Sequence, residues 1–421
     1  MSGAASNSVE LLDRLRSIVC QGELRAGSEL DAVCGAVPQF VAEPATESEI
    51  AALLRFAAEA GVQVAPCGGG TKLEWGSAPQ SVDVLLRTAR LNRIVEHVPD
   101  DMTVTVEAGT RISELQAVLA EHRQRLALDP LWPERATVGG VVSANDSGAM
   151  RIRYGSVRDL IIGATVVLSN GTIARCGGKV VKNVAGYDMQ KLVTGALGTL
   201  GVITRAVFRL HPLPEQSRTL RFAFAEPKTA NAFMLAVCDS YAVPAAMQMS
   251  CGAEGGIDVD VEIEGCAAGV EAQCDTVCKL TTSPASERDP KLWLAREELW
   301  SDPGSTICKL STLPDRIVDV VESVRGWADG ADWKLVAYPT GLVWLRVDGA
   351  ESAKAARLIA SLRQQLAAHR GSLVVLRAPA ALRAEIDIWG EVGNSLPLMK
   401  RIKEQFDPNA IMNRGRFVGG I

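Results

Sequence analysis

The chain has 421 residues, 47 % of them hydrophobic and 22 % charged, with a formal net charge of −5. That length predicts two or three domains with sizeable cores, and the acidic balance argues against nucleic acid, whose phosphates need a basic face. No apolar run approaches the ~20 residues of a membrane-spanning helix. The opening MSGAASNSVELLDRL lacks a basic start followed by an apolar core, so no secretory signal is expected.

In chain order, residues 1–33 read as a helical extension, with Leu11, Leu12, Leu15 and Val19 near helical spacing. PATESEIAALLRFAAEAG (44–61) predicts a helix. Thr46 and Glu49 form a capping-box pattern, Ile50, Leu53, Leu54 and Ala57 share one face, and Gly61 is a C-terminal stop. A short strand over 62–65 leads into Gly68-Gly69-Gly70. Glycine has no Cβ, so such a run lets main-chain N–H groups approach an anion, although a plain tight turn uses the same residues. The order fits neither a Walker loop nor a Gly-x-Gly-x-x-Gly turn. Strands are expected over 82–86 and 103–109, then a capped helix with Ile112, Leu115, Val118 and Leu119 facing inward. A second glycine region, PERATVGGVVSANDSG, follows, and Asn170-Gly171 signals a hairpin. A third region places Gly195, Gly198 and Gly201 before a β-rich run. Composition changes at Pro212-Leu213-Pro214, and residues 215–385 read as a separate α+β domain. Residues 386–421 hold a basic amphipathic helix, a turn and an extended end.

Ten cysteines are scattered without a Cys-x-x-Cys. Cys274 and Cys278 suit one helix face and read as buried thiols rather than metal ligands. No metal site or iron–sulfur cluster is expected in this chain, and a reduced, cytoplasmic compartment is.

Three glycine regions, each beside a strand, suit one long ligand with an anionic middle, such as a dinucleotide. PCGGGTKL, ATVGGVVSANDSG, RYGSVRDLIIGATVVLSNG and GALGTLGVIT resemble, in order and spacing, the FAD-binding domain of the vanillyl-alcohol-oxidase/PCMH-type flavoproteins. The resemblance implies an α+β fold: an FAD-binding domain of two α+β subdomains over 34–214, an α+β cap over 215–385, and a tail over 386–421 that returns to the FAD domain. It implies that Pro66 sets the entry to a loop in which Gly68, Gly69, Gly70 and Thr71 face the FAD pyrophosphate. Lys72 either adds charge there or is solvated. Thr137, Gly139 and Gly140 would lie against the flavin and its phosphates, and Asn145, Ser147 and Gly148 would continue that wall. Gly201, Val202 and Ile203 would run beside the cofactor or serve as core strand. No histidine stands in the glycine loop and Cys67 is expected to point into the core, so FAD is expected to be non-covalent.

Within the family, GGKVVKNVAGYDMQKLVTGALGTLGVI (177–203) and the C-terminal WGEVGNSLPLMKRIKEQFDPNAIMNRGRFVGGI are similar to the E subunits of bacterial glycolate oxidases. Residues 215–385 carry little of this likeness. Arg414 replaces the usual proline of Asn-Pro-Gly-Arg-Phe, whereas Asn413 and Arg416 remain, which keeps a tail folded onto the flavin site as the expectation. Asp188 is expected to cap the helix that follows it. Oxidation of a 2-hydroxy acid needs a base, a cation for the carboxylate and a hydride acceptor. The four histidines, His97, His122, His211 and His369, are apart in sequence and form no motif. Candidates for a catalytic role are therefore limited to Lys182, Tyr187 and Arg153, with Arg151 and Arg416 as further carboxylate-binding cations. The resemblance implies an FAD subunit that works in a complex with a sister FAD subunit bearing the catalytic histidines and an iron–sulfur subunit, oxidising a small 2-hydroxy acid. Membrane contact would be peripheral, at the inner membrane, through those partners. A self-sufficient hydroxy-acid oxidoreductase and a scaffold that kept the fold are the alternatives.

Overall fold

The computed structural model describes residues 2–179, 186–287, 290–327 and 331–421. The chain forms two compact units. The first comprises Met1–Asp146, Ser156–Pro212 and Val392–Ile421, and the second Ser147–Gly155 and Leu213–Glu391.

In the first unit, β1 (Glu23–Ala26), β2 (Phe40–Glu43), β3 (Val64–Cys67) and β4 (Val84–Arg87) form a sheet of order β1-β2-β4-β3. β2 and β3 run parallel to β4, and β1 is the antiparallel edge. Helix α1 (Ser2–Ile18) ends well before residue 33, so the expected helical extension is corrected: Glu23–Ala26 is an edge strand. Leu15 and Val19 are buried with Ile50, Leu53, Leu54 and Ala57 of α2 (Glu47–Ala60) over this sheet. Thr46 Oγ1 accepts from Glu49 N at 3.1 Å, and Gly61 closes the helix at φ +71°. The capping box is only half formed. The Glu49 carboxylate accepts from Ala45 N (2.7 Å) and Gln21 N (2.6 Å), tying the chain after α1 to the start of α2.

A second sheet of the same unit contains β5 (Ile94–Val98), β6 (Thr103–Glu107), β8 (Ile161–Val167), β9 (Ile173–Gly177) and β10 (Val202–Arg209) in the order β5-β6-β10-β8-β9. All neighbours are antiparallel. A short ribbon pairs β7 (Gln124–Arg125) with β11 (His211–Pro212). Helices α3 (Ile112–Glu121) and α4 (Val138–Ala144) supply Ile112, Leu115, Leu119, Val138, Val141 and Val142 to the core, while Val118 is only partly buried. The Asn170-Gly171 turn joins β8 to β9, with Gly171 at φ +79° and Asn170 Oδ1 accepting from Thr172 N at 2.9 Å. Asp188 precedes the helix Met189–Val193 without capping it. Its carboxylate accepts from the side chains of Gln190 (2.9 Å) and Lys191 (2.7 Å) instead.

The second unit is an eight-stranded antiparallel sheet. Its order is Ser286–Glu287, Gln216–Phe224, Ile257–Gly265, Ala246–Gly252, Trp333–Ala337, Leu342–Val347, Thr306–Ser311, Ser372–Arg377. The helices Pro227–Asp239, Ala267–Cys278, Ile317–Trp327 and Ser352–Ala367 bury apolar stripes against it. Along Ile257–Gly265 the period of two is plain: Val259, Val261 and Ile263 enter the core, and Asp260 turns away to Arg221 (2.6 Å) and Gln248 (3.0 Å). Cys274 is buried in this core, and burial raises its thiol pKa, as a structural cysteine requires.

Candidate cofactor-binding site

The glycine loop leaves the end of β3 and crosses directly over the segment that starts α4. Gly69 N donates to Thr137 Oγ1 at 3.2 Å. A Cβ on Gly68 would stand 2.1 Å from Thr137 Oγ1, and one on Gly69 would stand 1.8 Å from the carbonyl oxygen of Arg135. Glycine is therefore required at both positions by the protein's own close approach, a reason separate from any anion. Gly70 differs: its φ is +73°, and its nearest neighbours would be 3.8 Å away or more.

Two further walls complete a cleft in the first unit. One is the start of α4, where Gly139 N donates to Ala108 O at 2.8 Å and a Cβ would meet Ala108 Cβ at 2.7 Å. The other is the loop into β10. Gly198 (φ +72°) passes against Pro66 there, and a Cβ on Gly201 would stand 2.8 Å from Val167 O. The cleft brings together Pro66, Gly68, Gly69, Gly70, Thr71 and Lys72 from the first region. Thr137, Gly139 and Gly140 come from the second, and Gly201, Val202 and Ile203 from the third. Val202 and Ile203 line the cleft and are core strand residues as well. Thr88, Ser143, Ala144, Leu197 and Gly198 line it too and were not anticipated. Gly198 had a visible signal in the three-residue glycine spacing; Thr88, which follows a strand, had none.

The C-terminal segment is built into this unit rather than laid over it. Val64 N donates to Ile411 O (2.8 Å) and Asn413 N to Val64 O (2.9 Å), so the tail pairs with the strand that carries the glycine loop. Asn413 Nδ2 donates to Leu197 O at 2.6 Å. The buried Lys403 ammonium donates to Thr199 O (2.8 Å), Met412 O (2.8 Å) and the Asp407 carboxylate (2.6 Å). Arg416 lines the cleft while donating to the carbonyl oxygens of Lys72 (3.0 Å), Leu73 (3.3 Å) and Trp75 (3.1 Å). Burial pulls the Arg416 pKa below its ordinary value.

Residues 38–177 match the FAD-binding domain family. This stretch is an FAD-binding domain. The chain is 32 % identical over 212 residues to glycolate oxidase subunit GlcD of Bacillus subtilis, covering 50 % of this chain and 45 % of that protein. It thus spans less than half the length of that relative. A longer alignment, 27 % identical over 408 residues, joins 88 % of this chain to 75 % of the mitochondrial D-2-hydroxyglutarate dehydrogenase of Bos taurus. A structure of 4-ethylphenol oxidase from Gulosibacter chungangensis superposes with a TM-score of 0.76 at 15 % identity, covering 98 % of this chain and 96 % of that one. The fold is the mixed α+β fold of the PCMH-type FAD proteins.

The cleft of the FAD-binding domain fits its cofactor. Its glycine walls leave main chain bare on three sides, and Arg416 supplies a buried cation. Asn145 Oδ1 and Asn413 Oδ1 are buried with no protein hydrogen-bond partner, but they give no support to the fit of the cleft. Asn145 and Asn413 do not themselves line the cleft, and Ser147 and Gly148 belong to the second unit. Lys72 lines it but is not solvated. Its ammonium lies 3.1 Å from the Asp146 carboxylate, which also accepts from Leu131 N at 2.8 Å, and it stacks near the rings of Trp75 and Trp132. Cys67 is buried yet reaches the cleft, and burial pushes its thiol up to about 11.

The catalytic candidates are scattered. Lys182 lies outside the described residues. Tyr187 is 89 % exposed. Arg153, in the second unit, donates to Val243 O at 3.4 Å and stacks on Tyr154. Two histidines distant in sequence do meet. The rings of His97 and His122 are 5.0 Å apart, and His97 Nε2 is 2.9 Å from Gln124 Oε1. Gln124 Nε2 donates to Pro99 O at 2.7 Å, which turns its oxygen to His97 and makes His97 Nε2 the donor.

Proposed function

We propose that this chain is an FAD-bearing subunit of a 2-hydroxy-acid dehydrogenase of the glycolate oxidase type. Its bound flavin relays electrons or supports the assembly, and a sister flavoprotein removes hydrogen from the substrate. The observation that carries this reading is the chemistry of the cleft. Among the described residues that line it, the titratable side chains are Cys67, Lys72 and Arg416. Cys67 is held protonated by burial, Lys72 is paired with Asp146, and Arg416 holds the turn after the glycine loop. None of these takes a proton from an alcohol near neutral pH. His97 and His122 are engaged with each other and with Gln124, and His211 belongs to the β7–β11 ribbon. Bound FAD supplies a two-electron hydride acceptor. The chain's own residues bind it, hold the glycine loop in place and place a buried cation beside it.

In this reading FAD is held non-covalently, the partners include an iron–sulfur subunit, and the protein works in the cytoplasm or peripherally at the inner membrane through those partners. No helix among the described residues is long and apolar enough to cross a membrane. A second reading, a self-sufficient hydroxy-acid oxidoreductase, is favoured by the alignment of most of the chain with D-2-hydroxyglutarate dehydrogenase. The purified FAD-loaded chain, assayed with glycolate, D-lactate and D-2-hydroxyglutarate and an artificial acceptor, separates the two. The subunit reading expects bound flavin with little turnover until the partner subunits are added. Rapid turnover by the chain alone supports the second reading and rejects the first.

A further inference from the structure

Beside the glycine loop lies a second, open cavity of about 300 Å3, lined entirely by residues of the first unit. Its floor is main chain at Gly68, Gly69 and Gly109, with Thr137 beside them. Gly68, Gly69 and Thr137 also line the cofactor cleft, and the Gly69–Thr137 hydrogen bond joins the two segments that both spaces share. A Cβ at Gly109 would stand 2.1 Å from Thr88 O, which accounts for the bare floor at that point too.

The walls carry three arginines, Arg87, Arg111 and Arg135, with Asn92 and one acid, Glu114. Arg87 Nε lies 3.3 Å from the Glu43 carboxylate. Arg111 is 3.7 Å from Glu114, a long contact between side chains that are both more than half exposed, and such pairs hold their members weakly. Arg135 stacks 5.8 Å from the Trp132 ring centre. The first N–H groups of α3 are not part of the wall's chemistry, since Ile112 N and Ser113 N donate to Ala136 O and Pro133 O. The recognition capacity of the cavity therefore lies in the guanidinium groups, whose planar forks match paired oxygens, and in the Asn92 amide.

We propose that this cavity is a second anion site, separate from the FAD cleft, and that it takes a compact multivalent oxyanion bearing phosphate or carboxylate groups. With Arg87 paired to Glu43, the charge comes from Arg135 and the weakly held Arg111, and the glycines let the anion approach without side-chain obstruction. Glu114 sets the sign of the selectivity: a monoanion gains little against it, whereas a polyanion spans two arginines at once.

The test uses the full chain loaded with FAD and quantified by its flavin absorbance. Inorganic pyrophosphate and citrate are titrated separately by calorimetry at low and moderate ionic strength. The proposal expects one saturable site per chain, weakened by salt, and weakened at least about tenfold in the Arg111→Gln/Arg135→Gln double variant. Flavin content should be unchanged in that variant. Tighter pyrophosphate binding assigns phosphate, and tighter citrate binding assigns carboxylate. Failure of both anions to saturate the FAD-loaded chain, or equal binding by the double variant, overturns the site. A variant that folds with native circular dichroism but purifies with less flavin also overturns it, because the cavity would then belong to the cofactor's own site.

Discussion

Residues 69 and 70 are adjacent glycines with different reasons to be glycine. At 69 the obstacle is Arg135 O, 1.8 Å from a would-be Cβ, and at 70 it is a φ of +73° with open space around it. Gly69→Val should therefore destabilise the apoprotein as well as abolish flavin binding, because the loop must leave the α4 segment. Gly70→Ala should cost about 1–2 kcal/mol through backbone strain alone and keep part of its flavin. Melting curves of the two apoproteins, with flavin content, check this; a Gly69→Val apoprotein as stable as the parent would contradict the packing account. The glycine run was legible in the sequence as a close approach, but what it approaches was not. Thr137 and Arg135 come from another glycine region, and no local pattern joins the two. Lys72 shows the same limit. Its partner Asp146 is far along the chain, so no local pattern separates a paired lysine from a solvated one.

Among elements, the α2 helix and the Asn170-Gly171 hairpin were legible because their signals are local: a cap, an apolar face, a left-handed stop. The edge strand Glu23–Ala26 was not, since its burial is slight and its pairing with Phe40–Glu43 defines it. A side-chain clamp holds this edge. Arg25 Nη1 and Nη2 donate to the Asp31 carboxylate at 2.7 and 2.6 Å, and the arginine and Ser28 hydrogen bonds hold the Asp31 pKa down to about 2, from an ordinary 3.8. The folded pKa is depressed, so this clamp contributes fully above the ordinary carboxylate pKa and is lost as pH falls towards 2. An NMR titration of Asp31 should give a midpoint near 2; a midpoint at the ordinary value would remove the clamp. The tail offers a second prediction. Lys403 and Asp407 are both buried, and burial draws the Lys403 pKa below 10.5, with Asp407 opposing that shift. Lys403→Met leaves a buried carboxylate without its cation, which costs about 3–5 kcal/mol. It also frees the Thr199 carbonyl, in the loop that carries Gly198 and Gly201 of the cofactor cleft. Urea unfolding with flavin retention reads both effects, and a change within about 0.5 kcal/mol would show the pair to be incidental.

For the whole molecule, the α+β character of residues 215–385 followed from alternating patterns, and the α+β FAD domain with its three-walled cleft from glycine regions whose order matched a family. The eight-stranded order of the second unit did not follow. Ala246–Gly252 pairs with Trp333–Ala337 across most of that unit, and such pairings leave no local trace. The return of the tail was implied only by resemblance; the hydrogen bonds of Val64 with Ile411 and Asn413 supply its physical reason. All of this rests on FAD held in the cleft of the first unit without a covalent bond. The most direct measurement is the flavin-to-chain ratio of the purified protein, followed by heat or acid precipitation and analysis of the supernatant. Close to one FAD per chain is expected, released intact into the supernatant. Flavin that stays with the precipitated chain, or a folded chain that takes up no FAD when it is supplied in excess, would contradict it.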